Sequence, residues 1–478
     1  MTDKYKQSPS LLEAESRGGD IATKGIDFQA NLILCKIPYW LSYEGFSSII
    51  WESIGDIEAK FYVPGIGESV EAIEAKDHQV TPSEFWEEIE RFQRMDEGSP
   101  GTYRRFILSC PGLSVKLHPL VNGLKRLRDS YPFYDFSSGV FRNSYNDFKE
   151  IIKKLGKDDK MAMFIYSKVI IEEKWGSLSD KTKGIFKDEF DSHLPDYDLR
   201  SSELDKVFEN LLVLVRSQKN KPVSRCRLTD TINKSINKDS IPSNPVYICT
   251  SIDEVLEENK EIEFMWHSFF GGYDRKYPPT PKWNTKLFQE LLETKKRIQA
   301  NRSTKKIHLS GNRRISASLA FGVAFSAVSG FVIEVKQRNR EIWYTDSFPD
   351  NETPEYKFSI DFEDKIGEEL IVTIGITRDS IVTEVTEYLQ KQNLLHLPKL
   401  HLYSHLPILS AQQANDAVNK IKTEIKKALS ISNAKQVHLF YAGPSHLALF
   451  LGHRWNALAS LQCYEWIKTG EYMPTCYL

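Results

Sequence analysis

The second half of this chain matches itself, and that match limits its fold more than any other feature. Offset by 130 residues, Lys305-Lys306-Ile307-His308-Leu309 aligns without a gap on Lys435-Gln436-Val437-His438-Leu439. Leu319, Gly322, Phe325 and Ala327 then fall on Leu449, Gly452, Trp455 and Ala457. Each copy reads as a strand, a loop of small residues and an apolar helix. Leu370 to Ile376, followed by Thr377-Arg378-Asp379-Ser380, reads as the opening strand and loop of the second copy, and Val246 to Thr250 as the opening strand of the first. A strand feeding a helix through a short loop is half of a Rossmann-like unit, whose ligands sit where strand C-termini meet helix N-termini.

Two fused copies of such a unit form one composite pocket along their pseudo-twofold axis, of a shape that suits a cyclic oligonucleotide. Ser310, Gly311, Asn312 and Arg313 supply amides and a cation for phosphate, and Thr377 and Arg378 stand in the opening loop of the second copy. Tyr441 supplies an aromatic face for a base, with Gly443 and Ser445 beside it. Each has a plain structural alternative: Gly311 and Gly443 as tight turns, Tyr441 as core. His308 and His438, at the ends of apolar strands, read as satisfied core histidines.

The first half carries a different chemistry. Val70 to Val80 reads as a strand ending in charge, and alternation puts Glu74 and Lys76 on one face with Ile73 and Ala75 on the other. A preceding strand over Ser53 to Tyr62, in a hairpin turning at Pro64-Gly65-Ile66-Gly67, brings Asp56 to the same face. Two carboxylates and a lysine suit divalent-metal hydrolysis of phosphodiesters. Mg²⁺ takes oxygen ligands and keeps several waters, so Asp56 and Glu74 with a substrate phosphate make an adequate site. Lys76 then orients water and stabilises charge on the phosphate. The competing reading is that E-x-K is a common tripeptide and a charged strand edge is ordinarily a solvated face.

Charge is distributed unevenly. Residues 1–100 carry 9 Lys and Arg against 19 Asp and Glu, whereas residues 101–250 carry 26 against 19. The basic run with Arg104, Arg105, Lys125, Arg126, Arg128, Lys153 and Lys154 is of the kind that neutralises nucleic-acid phosphates; the alternative is ordinary surface charge. The six cysteines show no C-x-x-C spacing and no clustering with histidine. They indicate neither zinc nor a disulfide framework and point to a reducing cytoplasm. Met1 to Asp20 is polar, without a signal-peptide core. Ile315 to Ile333 holds no charge over nineteen residues, but its four serines and two glycines favour a buried helix and strand over a membrane span.

At 478 residues the chain suits two or three domains. Helices are expected from Ile26 to Leu34, which includes Gln29, and at Pro82 to Met95, Tyr145 to Leu155, Ala162 to Trp175 and Ser202 to Leu214, with a strand at Arg105 to Cys110. Leu11 to Gly19 reads as a loop or turn. The polar stretch Ser217 to Pro245 is the best boundary, dividing the chain into 1–235 and 236–478.

Taken together, Arg17-Gly18-Gly19 through Lys24-Gly25-Ile26-Asp27-Phe28-Gln29, the Asp56 and Glu74-Ala75-Lys76 pair, and the C-terminal repeat resemble the SAVED-domain effector nucleases of bacterial CBASS antiphage systems over nearly the whole chain. The resemblance implies an α/β fold in two parts. The first is a PD-(D/E)xK restriction-endonuclease-like domain with a helical extension. The second is a SAVED domain of two fused CARF-like units, which binds a cyclic oligonucleotide made by a CD-NTase enzyme. Carried over by residue, Asp56 and Glu74 become ligands of Mg²⁺ or Mn²⁺, Lys76 the catalytic lysine and Gln29 a helix residue near the site. Gly55 stands where the motif has proline, which leaves Glu52 or Glu58 as a further ligand. The implied function is ligand-gated cleavage of double-stranded DNA with little sequence specificity, switched on by self-association without a membrane. The implied ligand is a cyclic trinucleotide with adenines. A signalling scaffold whose first domain only binds nucleic acid, and an ordinary restriction nuclease, are the alternatives.

Overall fold

The computed structural model describes residues 23–131, 133–134, 136–173, 175, 178–236, 244–253, 260–337 and 341–478. The Leu11 to Gly19 loop, with Arg17, Gly18 and Gly19, lies outside the described residues. The chain divides into two compact units, Met1–Pro242 and Ser243–Leu478.

In the first unit, helix α1 (Thr23–Leu41) leads into an antiparallel meander of β1 (Phe46–Trp51), β2 (Ile57–Val63) and β3 (Gly67–Ala75). Ile57 pairs with Ile73 and Val63 with Gly67, so the hairpin turns over Pro64-Gly65-Ile66. Helix α2 (Pro82–Gly98) then crosses over to β4 (Tyr103–Ser109), which runs parallel to β3. Its start is fixed by a capping box: the Thr81 hydroxyl accepts from the Glu84 amide, and the Glu84 carboxylate accepts from the Thr81 amide. Phe85, Ile89, Phe92 and Met95 form its buried stripe.

Helices α3 (His118–Ser130), α4 (Gly139–Lys154) and α5 (Asp159–Lys168) follow, then β5 (Val169–Glu172), α6 (Leu178–His193), α7 (Ser201–Ser217), β6 (Pro222–Ser224) and α8 (Arg225–Ser235). The sheet order is β5-β4-β3-β2-β1-β6. Ile33, Trp40, Ile57 and Phe208 belong to one core cluster, and Phe85, Phe92, Phe106 and Phe148 to another.

One expectation is corrected. The helix expected over Ala162 to Trp175 stops at Lys168, because the β-branched run Val169-Ile170-Ile171 pairs in parallel with Phe106, Ile107 and Leu108. The division between the two units, at Pro242/Ser243, falls within Ser217 to Pro245, whose first part is structured: Pro222–Ser224 pairs with β1, and α8 buries Leu228 and Ile232 in the core that holds Trp40. The expected 235/236 division falls where α8 ends.

The second unit contains two sheets built to one plan. The first takes the order β8-β7-β9-β10-β11, with β7 (Val246–Ser251), β8 (Ile262–Met265), β9 (Lys306–Gly311), β10 (Val332–Lys336) and β11 (Ile342–Tyr344). The second takes β12-β14-β13-β15-β16-β17, with β12 (Ser359–Glu363), β13 (Glu369–Ile376), β14 (Lys399–Ser404), β15 (Gln436–Ala442), β16 (Ser460–Lys468) and β17 (Glu471–Tyr477). Four strands are parallel in each; β11 closes one edge of the first sheet antiparallel, and β12 and β17 close both edges of the second. The register repeats as well. Ile307 lies between Val246 and Ile333 as its repeat mate Val437 lies between Leu370 and Leu461.

After β9 comes α10 (Ile315–Ala324), and after β15 comes α13 (Ser445–His453), with α9 (Gln289–Asn301), α11 (Ile381–Lys391) and α12 (Ala411–Ser432) elsewhere in the unit. Both α10 and α13 are apolar almost all round and buried. They cross where the repeat mates Gly322 and Gly452 meet. A Cβ on Gly322 would stand 2.2 Å from the Leu449 carbonyl oxygen, and one on Gly452 2.2 Å from the Leu319 carbonyl oxygen. Only glycine lets the two backbones approach this closely. No helix among the described residues is long and apolar enough to cross a membrane; Ile315 to Ile333 is a helix, a short turn of 3₁₀ helix and the start of β10.

Candidate active site and candidate ligand cavity

The meander brings Asp56, Glu74 and Lys76 together. Asp56 lies one step beyond the Ile57–Ile73 pair, and its Oδ2 accepts the Ala75 amide at 2.8 Å. Lys76 follows the end of β3, where its amide donates to the Ser109 carbonyl at 2.9 Å. Its Nζ donates to Glu74 Oε1 at 2.9 Å and to Glu88 Oε1 at 2.7 Å. Arg91 closes the group, donating from NH2 to Glu74 Oε2 at 2.5 Å and from Nε to Glu88 Oε2 at 2.9 Å. Glu88 and Arg91 come from α2, and sequence reasoning does not single them out. The signal available is their spacing of three on the border of the Phe85, Ile89, Phe92 stripe, which turns both toward β3.

Burial pushes the Asp56 carboxyl well above the usual range, and the charge of Glu74 pushes it further. Glu74 is likewise raised, by burial first, against the pull of Arg91. Burial works to neutralise Lys76, but Glu74 and Glu88 overcome it and leave the amine a firmer cation than usual. Two buried carboxylates, one held from ionising by burial and by the charge of the other, are a donor set that a divalent cation relieves. Among the described residues no group of three or more His, Cys, Asp or Glu could hold a metal. A cation here would therefore rest on Asp56, Glu74, water and substrate oxygens, which is ligation that Mg²⁺ accepts.

Gln29 does not join this group through its carbonyl. Its Oε1 accepts the Trp51 indole N–H at 2.8 Å. Glu58 follows Asp56 by two residues and is held by the Ile54 amide and the Ser53 hydroxyl, with burial raising its pKa. Glu52 pairs with Lys219 at 2.8 Å.

Part of the basic run is internal. Arg104 lies 4.3 Å from the Phe61 ring centre, Arg105 donates to the Tyr39 hydroxyl, and Arg128 donates to the Ile165 and Tyr166 carbonyls at the end of α5. Lys153 pairs with Glu150 and Asp159. Lys125, Arg126 and Lys154 are exposed.

In the second unit a cavity of about 630 Å³ lies beyond the C-terminal end of β7, beside the start of α10, and reaches Glu465 and Trp466 of β16. Both repeats therefore line it. Arg314 is its central cation, 4.4 Å from the Phe270 ring centre and 4.9 Å from that of Tyr277, with NH1 on the Lys276 carbonyl at 2.8 Å. Arg275 and His267 add donors, and Trp466 is a half-exposed aromatic face, 42% accessible. Arg378 lies 5.6 Å from the Trp466 ring centre and donates to Glu384 at 2.7 Å, which also accepts the Trp466 indole.

The expected pocket residues divide. Arg313 lines no part of this cavity; its Nε is buried without a partner, and burial lowers its pKa to about 10. Tyr441 is 8% exposed, with its hydroxyl donating to the Pro444 carbonyl. Gly311 is required by its turn: it holds φ +81°, and a Cβ there would stand 2.1 Å from the Thr250 carbonyl oxygen. A Cβ on Gly443 would press on the Tyr441 hydroxyl at 2.7 Å. Asn312 donates to Asp253, which lines the cavity, at 2.5 Å, and its Oδ1 accepts the Ile252 amide. Ser310 donates to Glu261 at 2.9 Å. Thr377 holds φ +57°, uncommon for a β-branched residue, at the end of β13, and Ser445 begins α13. His308 and His438 both have partners, Glu334 for the first and Tyr464 for the second.

Comparison with known proteins agrees with this plan. Residues 291–478 match the family model of SAVED, the SMODS-associated sensor domain fused to various effectors. The chain is 27% identical to CD-NTase-associated protein 4 of Moraxella osloensis, over 98% of this chain and 99% of that one. It is 28% identical to the protein of the same name from Acinetobacter sp., with the same coverage. The Acinetobacter baumannii Cap4 SAVED/CARF-domain receptor, solved with the cyclic trinucleotide 2'3'3'-cAAA, superposes with a TM-score of 0.81 at 25% identity, over 96% of this chain and 99% of that one. Residues 291–478 thus match a SAVED sensor domain, and the chain is similar over nearly its whole length to the CD-NTase-associated protein 4 relatives.

Proposed function

We propose that this chain is an antiphage effector in which a cyclic oligonucleotide, of the adenine-containing trinucleotide class, switches on metal-dependent cleavage of double-stranded DNA. The sensor is assigned to Ser243–Leu478 and the hydrolase to Met1–Pro242. The observation that carries the second assignment is the meeting of Asp56 and Glu74 with Lys76 held as a cation between Glu74 and Glu88. The cAAA-bound relative and the two-sided cavity with Arg314 and Trp466 support the first.

Asp56 and Glu74 would hold Mg²⁺, which supplies a polarised phosphoryl oxygen and an activated water. Lys76, already a full cation, stabilises negative charge growing on the phosphate and is unsuited to act as a base. Arg314 binds ligand phosphate, and Trp466 offers its ring to a base. Gating follows from preferential binding of ligand to the active arrangement, and self-association places two single-strand-cutting sites on one duplex.

A scaffold that binds DNA without cutting it is the second reading. It is favoured by one observation: both oxygens of Glu74 are already taken by cations. Incubating the purified chain with plasmid and Mg²⁺, with and without cyclic triadenylates, separates the readings. Ligand-dependent double-strand breaks support the first. Binding without breaks supports the scaffold, and breaks without ligand support an ordinary restriction nuclease.

A further inference from the structure

The two carboxylates and two cations beside Asp56 form a closed ring. Lys76 links Glu74 Oε1 to Glu88 Oε1, and Arg91 links Glu74 Oε2 to Glu88 Oε2, at 2.9, 2.7, 2.5 and 2.9 Å. The four formal charges cancel, and all four side chains are 12 to 23% exposed, so water screens the ring little. A dication ligated by Glu74 would stand close to the guanidinium that holds Oε2, and two cations at that separation repel strongly where screening is weak. Lys76 is the group that the hydrolytic reading needs at the site. Arg91 is therefore the cation that must give way.

The structure supplies the place it goes. Arg91 and Glu88 are three apart on α2, and their Nε to Oε2 bond needs no participation from Glu74. Resting on the metal-site reading above, we infer that Arg91 is an internal competitor for the metal. Paired with Glu74 it keeps the site charge-balanced and closed to cations, and withdrawn onto Glu88 alone it leaves Glu74 Oε2 open. Arg91 is a positioning residue in this scheme, and Glu88 is the counter-ion that stops it from leaving the site altogether. The scheme also explains why a catalytic carboxylate is fully paired in the resting chain.

The test is isothermal titration of Mg²⁺ and of Mn²⁺ into the full chain without DNA or ligand, with circular dichroism as a check on folding. Arg91→Met keeps an unbranched apolar stem and removes the guanidinium, which lies 5.3 Å from the Phe92 ring centre. It is expected to bind metal at least about tenfold more tightly than wild type, whereas Arg91→Lys, which keeps the charge, restores weak binding. Glu88→Gln is expected to weaken metal binding, because both cations then fall on Glu74. That variant keeps the inference testable if Arg91→Met does not fold. Equal metal affinity in wild type and Arg91→Met, or weaker affinity in the latter, overturns the competitor role while leaving the metal site standing. No loss of binding in Glu74→Gln, or no binding in any variant, overturns the metal-site reading itself.

Discussion

Gly452→Ala sets two physical effects against each other with opposite signs. In a helix, alanine is favoured over glycine by about 1 kcal/mol, so propensity alone makes the substitution stabilising. At this position the new Cβ would stand 2.2 Å from the Leu319 carbonyl oxygen and 3.0 Å from Leu319 Cα, both backbone atoms of α10. Neither can rotate away, so the helices must separate by most of an ångström where Gly322 presses back on Leu449. Overpacking of this kind costs about 1 to 3 kcal/mol, more when backbone must move. We expect a net loss of about 1 to 2 kcal/mol, or roughly 2 to 8 °C in a unit of this size. Hydrogen exchange of amides in α10 and α13 reads the effect locally, and a thermal melt reads it globally. Gly184→Ala in α6 is the control, because nothing lies within 4 Å of its Cβ position, and it should gain up to about 1 kcal/mol. If Gly452→Ala protected those amides as well as wild type or better, the close crossing of the two repeats would be refuted.

Lys76→Ala is expected to lower plasmid cleavage by about 10²- to 10³-fold while leaving cyclic-trinucleotide affinity unchanged, as measured by gel assay and titration on one preparation. Arg314→Ala is expected to weaken trinucleotide binding by roughly 10- to 100-fold, the effect of losing one charge-assisted contact, in a chain that circular dichroism shows still folded. Arg313→Ala should instead leave trinucleotide affinity near wild type, since Arg313 lines no part of the cavity. His453, whose pKa burial lowers to about 4 from 6.5, gives a pH dependence. Between those values the unfolded chain binds the proton and the folded chain does not, so this contribution is fully present above pH 6.5 and is lost as pH falls toward 4. The loss reaches up to about 3 kcal/mol, and His453→Gln should flatten the denaturant midpoint over that range relative to wild type.

Much of the architecture was legible because it rests on local rules. The Asp56 to Lys76 grouping needed only strand alternation and a glycine turn, and the twin sheets needed only the 130-residue self-match, which the register at Ile307 and Val437 reproduces. What escaped depended on tertiary pairing. Val169-Ile170-Ile171 continued a helical pattern until a free edge of β4 took it as a strand. Polar composition hid β6 and α8, whose few apolar residues suffice to dock on the core that holds Trp40. Arg313 and Arg314 are adjacent, and composition cannot say which one faces a cavity formed with Glu465 and Trp466, some 150 residues away. Arg104, Arg105 and Arg128 show the same limit: a guanidinium counted as surface charge can be spent on an internal ring or carbonyl.

The central claim is that one chain couples a cyclic-oligonucleotide sensor to a metal-dependent nuclease. Its most direct measurement follows binding and cutting together, by titrating a cyclic triadenylate into a single preparation with Mg²⁺ and plasmid while recording fractional occupancy and double-strand breaks. The account predicts negligible cutting without ligand, cutting that rises with occupancy, and loss of cutting but not of binding in Glu74→Gln. Saturated ligand binding with an intact plasmid, or equal cutting at zero and full occupancy, would contradict it.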